Sequence, residues 1–515
     1  MTARRSSTAV IIGVAAVAAL LGGWGIGFGL PFDFRPDEEL FTGRAVQMVV
    51  QHSLDPHFYI YPPLGIYLFA LAEWVLSLIA PSRVGPATLV DPSWEYLAAR
   101  LLSVLAFAAG TALVGLAGRA AYGALAGVIA AACFALAPLV VLNAHFGRVD
   151  LLALAFMALA LWAGSRANSR TGWAVAGLAA GLAAGTKYTA GVVAVYLLVL
   201  VLHGGDRRAR LLALVSGAVL AFLVVLAPAG HPLELVAGFR YLAGRSAEGY
   251  GLPIGFLYHP TVSLPAGLGL GAYALSLAGI GVALWRRSPI DRALLALVAA
   301  YLLLVGFSQE VFLRYSLPLF PPLCLLAGGV IRMAGARRLP AAALAVLATG
   351  LLVPSALTSI QGDRLLAATD TRQLAARWLL ANAAPGSELM VPNYWGEPFY
   401  DQEEIRTRPL HPLYLAGDPL PDSFQLGLYT DRFVINRPGG STCYRVFESG
   451  PPWQSPLPSV PAGATVVASF TPYSGTPPAG GVYDPLDSFY LPLAGFGSIV
   501  RPGPSIVITE GCGAQ

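Results

Sequence analysis

The chain reads as an all-α polytopic membrane protein with a small C-terminal extracytoplasmic domain, α/β or β-rich. Three observations predict this. Of its 515 residues, 56% are hydrophobic and only 12% charged, against about 25% charged in an average soluble domain. Apolar runs rich in alanine, leucine, valine and glycine repeatedly approach the roughly 20 residues that a helix needs to cross a hydrocarbon core. Beyond residue 357 these runs stop, and proline, glycine and short β-prone stretches take over.

In chain order, "MTARRSS" opens the first apolar run. No small-residue cleavage site ends that run, so it is expected to stay as an anchor rather than be removed as a signal peptide. Eleven spans are expected, at about 8–28, 95–118, 122–142, 150–165, 172–187, 189–203, 211–228, 263–284, 291–307, 316–333 and 341–357. Residues 29–94 form a long first outer loop with a further apolar piece, "YPPLGIYLFALAEWVLSLIA". A single extra crossing there would invert every later loop, so helices lying along the outer membrane face are expected instead. Past the membrane domain of residues 1–357, the region 358–515 opens with "DTRQLAARWLLANAAPGSELM", an amphipathic helix, a Pro-Gly turn and a strand. "ATVVASF" and "SIVITEG" read as further strands.

Charge orients the spans. With the N-terminus inside, the inner segments carry arginines from Arg4 and Arg5 to Arg337 and Arg338, with Asp206 and Asp291 as their only acids. The outer segments up to residue 357 hold the other acids, from Asp33 to Glu310. Cation excess on alternate loops is the positive-inside signature. A multi-pass plasma-membrane protein follows, with a cytoplasmic N-terminus and residues 358–515 extracytoplasmic. The net charge of +4 gives no sign of a nucleic-acid partner. Cys133 and Cys324 fall in apolar runs and read as buried small residues, while Cys443 and Cys512 are free to pair if their region lies outside the cytosol. No Cys/His spacing resembles a zinc site.

Polar groups gather at the outer face. "FRPDEELFTG" places Arg35, Asp37 and Glu38 just past the first span, where carboxylates either stay solvated and reinforce topology or meet a polar ligand. "NAHFGRVD" puts His145, Arg148 and Asp150 in a very short outer turn. Asp150 there suits a helix N-cap as well as a site. "GLAAGTKYTA" sets Lys187, the sole lysine, and Tyr188 at an outer helix end, and "SQEVFLRYSLPLFPPL" does the same with Glu310, Arg314 and Tyr315. Such cations can simply snorkel. On the outer side, however, they run against the topological tendency, which makes an anionic partner such as a lipid phosphate attractive. Carboxylates on an early loop and cations at later helix ends suit group transfer from a lipid phosphate: a carboxylate takes the acceptor's proton while Lys or Arg stabilises the departing phosphate.

An ordered set of pieces carries a resemblance: "RPDEE", "YPPLGIYL", "ARLLSVLA", "HFGRVDLLALAF", "GLAAGTKYTA", "RYSLPLFPPL" and "DTRQLAARWLLANAAPGS", spanning roughly residues 8 to 390. In these the chain resembles the integral-membrane glycosyltransferases of the C-type (GT-C) superfamily. Within it, the chain looks like the dolichyl-phosphate-mannose protein mannosyltransferases and their bacterial relatives, including the aminoarabinose transferases of lipid A. The resemblance implies a polyprenyl-phosphate-linked sugar donor, used with inversion on the outer face, and a lipid, glycan or protein acceptor amid membrane lipids. It implies Asp37 as catalytic base with Glu38 beside it, and Asp150 as the second outer acid. Lys187 and Arg314, with Tyr315, would face the donor phosphate. Tyr61, His145 and Arg148 join as substrate-binding candidates by proximity to matching motifs. Some relatives use a divalent ion, for which His52, His57 or Glu38 could supply ligands, but no spacing demands a metal. The chain departs from the family in lacking an inserted lumenal domain between later spans and in matching no pattern beyond about residue 390. A transporter or flippase of a lipid-linked sugar is the alternative, but the ions crowd one face rather than the midplane and no inverted repeat is visible.

Overall fold

The computed structural model describes residues 2–32, 34–35, 37–84, 92–245, 253–336, 340–383, 388–390, 432–434, 442–450, 460–487 and 489–511. Asp33, Arg337, Arg338, Cys512 and the Pro-Gly turn, which enter the sequence reading, lie outside the described residues.

Each segment expected as a span is helical. Helix α1 (Thr2–Gly23) stops earlier than the apolar run does, because Gly25 and Gly29 take positive φ and turn the chain. The long segment between α1 and the next span holds α2 (Glu38–Gln51) and α3 (Leu64–Ile79). Helix α4 (Ser93–Tyr122) runs long. Next come α5 (Ala124–Ala135) and α6 (Pro138–Ala144), bent by 60°; Pro138 supplies no N–H to continue the ladder. They are followed by α7 (Val149–Arg166), α8 (Arg170–Thr186), α9 (Val193–Leu202) and α10 (Arg207–Leu226). After α11 (Pro232–Arg245) and α12 (Gly255–Tyr258), Gly269 separates α13 (Leu264–Leu268) from α14 (Leu270–Arg286). The helical region closes with α15 (Pro289–Gly306), α16 (Phe320–Ala336), which a tight turn at Leu313–Leu319 precedes, and α17 (Ala341–Leu366).

Among the described residues, six helices are long and apolar enough to cross a membrane, seven if the α5–α6 pair is one span. Helix α3, expected to lie along the membrane face, and three of the expected spans are apolar but shorter. The chain is therefore a multi-pass membrane protein in its helical part. Close approach of small residues holds the bundle together, as is usual where lipid removes the hydrophobic drive between helices. A Cβ on Gly177 of α8 would lie 1.9 Å from the Leu214 carbonyl oxygen, and one on Gly217 of α10 would lie 2.0 Å from that of Ala174. At the arginine-rich end, Ser288 and Asp291 form a capping box on α15, and Asp291 also binds Arg286 and the Tyr122 hydroxyl. One of the two acids on that side is thus neutralised locally.

Helix α18 (Thr371–Asn382) begins with a second capping box, Asp370 with Gln373. Its Ala375, Ala376 and Leu379 pack on Tyr444, Val446, Ile506 and Ile508. The sheet beneath consists of β1 (Glu388–Met390), β2 (Arg432–Val434), β3 (Cys443–Ser449), β4 (Thr465–Phe470) and β5 (Ser505–Glu510), in the order β2-β1-β3-β5-β4. All neighbours are antiparallel except β1 and β3. Cys443 is disulfide-bonded, while Cys133 and Cys324 are buried and free.

Between β4 and β5 the chain makes a long irregular excursion, residues 471–504. Its Phe489, Leu491, Phe496 and Ile499 share one apolar cluster with Phe28 and Phe34 of the first loop, Phe146, and Leu365 and Leu366 at the end of α17. This cluster brings the C-terminal region onto the helical bundle near Arg35, Asp37, Arg148 and Arg314.

Candidate active site

Asp37 sits at the junction between the turns after α1 and the start of α2, with φ 70° and ψ −10°. A side-chain-bearing residue is uncommon in this left-handed region, and aspartate is among the few that enter it readily. The sharp turn sends two adjacent carboxylates apart. Glu38, fully buried, accepts from Nε and Nη2 of Arg100, each at 2.7 Å, and from the backbone N–H of Gly147 at 2.6 Å. Arg100, in α4, also donates to the carbonyls of Ile26 and Phe28 at 2.8 Å. A Cβ at position 147 would lie 2.7 Å from that of Ala99, so only glycine lets the 145–148 turn approach this closely. The pair ties α2, α4, the turns after α1 and the turn before α7 into one knot. The sequence reading placed Glu38 beside Asp37 as a catalytic neighbour; the structure turns it away, with both oxygens engaged.

Asp37 faces the other way, with 32% of its side chain exposed. Its Oδ2 accepts from Nη2 of Arg148 at 2.7 Å and from Nη2 of Arg314 at 2.9 Å. Arg148 is the extended residue that precedes α7, and Arg314 lies in the tight turn before α16. Both guanidiniums continue to a second carboxylate. Oδ2 of Asp487, in the β4–β5 excursion, accepts from Arg314 Nη1 at 2.9 Å and lies 3.4 Å from Arg148 Nη1 and 2.6 Å from Arg35 Nη2. Arg35 is itself stacked over Phe489 and Phe146, at 4.4 and 5.0 Å from the ring centres.

Two further acids complete the picture. Burial opposes charge on Asp487, but Arg35, Arg314 and Arg148 outweigh it and hold the carboxyl well below the usual carboxylate range. Asp484 accepts from the backbone N–H of Leu313 at 2.8 Å and from that of Leu486 at 3.2 Å. Burial first, and then the charge of Asp487, push its carboxyl up to about 6.

Lys187 and Asp150 form a buried pair, Nζ to Oδ1 at 2.6 Å. Asp150 therefore does not act as the N-cap of α7, a place taken by Arg148 without a side-chain bond. Lys187 lies 5.5 Å from the ring centre of Tyr315, the residue after Arg314. Tyr61 stacks on Phe58 and meets Phe41 edge-on; burial, then the nearby Asp37, raise its phenol above the ordinary tyrosine range. His145 turns inward: its ring nitrogens lie 2.9 Å from the Val141 carbonyl and 2.8 Å from that of Trp24, and it is fully buried.

The structure thus brings together Asp37, Arg148, Arg314, Tyr61, Tyr315, Lys187 and Asp150, and turns Glu38 and His145 inward, away from them. The set proposed for a metal does not converge, since Glu38 is occupied by Arg100 and His57 lies 3.2 Å from Asp55. Among the described residues no group of three or more His, Cys, Asp or Glu is placed to hold a metal ion. Sequence reasoning missed Asp484, Asp487 and Arg100. "DPLD" carries only a turn signal, and Arg100, inside the expected span at 95–118, was not singled out.

Chemically, the arrangement holds one oxygen of Asp37 with two guanidiniums and leaves Oδ1 without a hydrogen bond to any described residue. That suits proton removal beside a cationic anion site.

A family model described as dolichyl-phosphate-mannose-protein mannosyltransferase matches residues 93–230, the stretch that carries Arg148, Asp150 and Lys187. No curated protein matches the chain in sequence. Among solved structures, ArnT from Cupriavidus metallidurans bound to undecaprenyl phosphate is 15% identical with a TM-score of 0.52, over 98% of this chain and 99% of that one. The apo state of the same protein gives 17% and 0.48, over 70% and 72%. The apo oligosaccharyltransferase from Archaeoglobus fulgidus gives 14% and 0.46, over 84% and 62%. The family match thus covers the stretch from α4 to just past α10, and the chain shares its fold along nearly its whole length with ArnT.

Proposed function

We propose that the protein moves a sugar from a polyprenyl-phosphate donor to a lipid, glycan or protein acceptor at the extracytoplasmic membrane face, inverting the anomeric centre. One observation carries the reading: Arg148 and Arg314 clamp Oδ2 of Asp37 while Oδ1, beside the same two cations, has no hydrogen bond among the described residues. The name of the ArnT complex, with its undecaprenyl phosphate, supports the class of donor lipid.

In this reading the acceptor hydroxyl or amine gives its proton to Asp37 Oδ1 as its lone pair attacks the anomeric carbon. The bond from that carbon to the phosphate oxygen breaks, and the electron pair leaves on the phosphate. Arg314 and Arg148 stabilise the developing charge, and Lys187, held by Asp150, adds positive potential. Tyr61 and Tyr315 wall the site and orient the sugar. Glu38 serves as the fastening that sets the backbone angle at Asp37.

All eleven expected helical segments cross the membrane in this reading, with a cytoplasmic N-terminus. Residues 1–357 form the membrane domain and 358–515 the extracytoplasmic one. The disulfide at Cys443 supports that placement, since such bonds persist in oxidising compartments.

The experiment is a mass-spectrometric comparison of surface glycans and glycolipids from cells with and without the protein. A sugar-bearing product lost on deletion and restored by the wild-type chain, but not by Asp37→Asn, is the expected result. Proteoliposomes loaded with a labelled prenyl-phosphate sugar provide the second arm: a transferase cleaves the donor, whereas intact relocation across the bilayer would refute the proposal.

A further inference from the structure

The Asp484–Asp487 turn belongs to the C-terminal region, more than 440 residues from Asp37, yet it ends inside the arginine cluster. We infer that this turn is a working part of the site, with Asp487 as a positioning residue that sets Arg314 and Arg148 against Asp37; the inference rests on the function proposed above.

Three cations converge here, which Coulomb repulsion disfavours unless a fixed anion lies between them. Asp487 is that anion: one of its oxygens lies within 3.4 Å of a nitrogen from each of Arg35, Arg148 and Arg314, and it is 1% exposed. Arg148 and Arg314 each use one Nη for Asp487 and the other for Asp37. The planar forks are thereby fixed at both prongs, which a single partner cannot do. Asp484 adds a second grip on the same element. It accepts the backbone N–H of Leu313, the neighbour of Arg314, while its other oxygen accepts from Leu486 and closes the turn that aims Asp487. Phe489, two residues on, lies under the Arg35 guanidinium. Side chain and backbone of the Arg314 segment are therefore both held by four consecutive residues of the C-terminal region.

This arrangement separates binding from turnover. Neutralising Asp487 removes the anion that Arg35, Arg148 and Arg314 share and leaves a stronger attractor for an anion, but one in which a phosphate can settle where the Asp487 carboxylate had been, away from Asp37. Asp487→Asn should bind undecaprenyl phosphate as tightly as wild type, or up to about tenfold tighter, yet make at least about tenfold less product.

The test uses the full chain in nanodiscs, with undecaprenyl phosphate as the probe, undecaprenol as the uncharged control, and product level in complemented deletion cells as the activity readout. Binding retained or improved with product lost supports the inference. Unchanged product overturns it, and so does parallel loss of binding and product, which is what general damage to the fold would give. If Asp487→Asn does not fold, Asp484→Ala decides under the same criteria. The underlying reading fails separately: a wild-type chain that does not prefer undecaprenyl phosphate over undecaprenol refutes the site itself.

Discussion

Asp37 and Glu38 are adjacent in sequence and belong to different networks: the first shares Oδ2 between Arg148 and Arg314, and the second is fully buried in a bidentate bond to Arg100. The left-handed backbone at Asp37 makes the division. A carboxylate held by two arginines, with one oxygen unbonded among the described residues, suits the proposed base. One with every contact internal is arranged for structure. Substitutions at the two positions should therefore fail in different ways.

Glu38→Gln removes the charge that Arg100 faces inside the protein, and breaking a buried pair from one side typically costs about 3–5 kcal/mol. The variant is expected to accumulate poorly in membranes and to melt well below wild type. Any fraction that folds should keep measurable turnover. A melting curve on detergent-purified protein checks this, and a wild-type melting temperature with no activity would mean that Glu38 takes part in the reaction.

Asp37→Asn is the converse case. It is isosteric and partly exposed, so expression and melting should stay close to wild type, whereas product formation should fall by about 10²–10⁴-fold, the usual contribution of a positioned base. Product quantified by mass spectrometry in complemented cells measures it. Full turnover by this variant would remove Asp37 from the role of base.

These contrasts show which parts of the molecule were legible in the sequence. The helices were, because apolar length and arginine asymmetry are local properties read off consecutive residues; α1 and α17 differ from expectation only at their ends. Asp37, Lys187 and Arg314 stood out because each is a charge at the outer end of an apolar run. Glu38 and His145 were grouped with the site by proximity in sequence, which says nothing about a backbone that reverses at one left-handed residue, and the structure turns both inward. Asp487 was invisible for a different reason. Two acids in a proline- and glycine-rich stretch carry no periodicity, and the meaning of Asp487 lies in three arginines contributed by distant segments.

Arg314→Lys tests the fork. A lysine presents one ammonium on a flexible stem and cannot hold Asp37 and Asp487 from opposite prongs as the guanidinium does. Charge is conserved, yet turnover should fall by about 10²-fold, comparable with loss of an electrostatic stabiliser. Kinetic comparison with Arg314→Gln reveals how much of the effect is geometry: if the lysine variant works like wild type, charge alone suffices.

The pH dependence of the C-terminal contact has a defined sign. Asp484 titrates near 6 in the folded protein, above the ordinary value of about 4, so folding favours its protonated form. That contribution is full below about pH 4 and is lost as pH rises through about 6. Asp487, held low, acts oppositely and only at more acidic pH. The melting temperature of wild type relative to Asp484→Asn should therefore decline between pH 4 and about 6.5 and level off above. A difference that stays flat or climbs across that range would contradict the burial and the Asp487 neighbour as causes.

Lys187 and Asp150 allow structure and chemistry to be separated within one pair. Lys187→Met strands a buried carboxylate and should destabilise by several kcal/mol, whereas the double variant Lys187→Met with Asp150→Asn leaves no uncompensated charge and should recover most of the lost melting temperature. Product formation should not recover with it. Lys187 lies beside Tyr315, next to Arg314, and no other lysine exists in the chain to replace its charge in the proposed site. Melting temperature and product level are to be measured on the same four proteins: wild type, both single variants and the double. A double variant that regains stability and product together would reduce the pair to a packing element, and leave Arg148 and Arg314 as the cations that meet the phosphate.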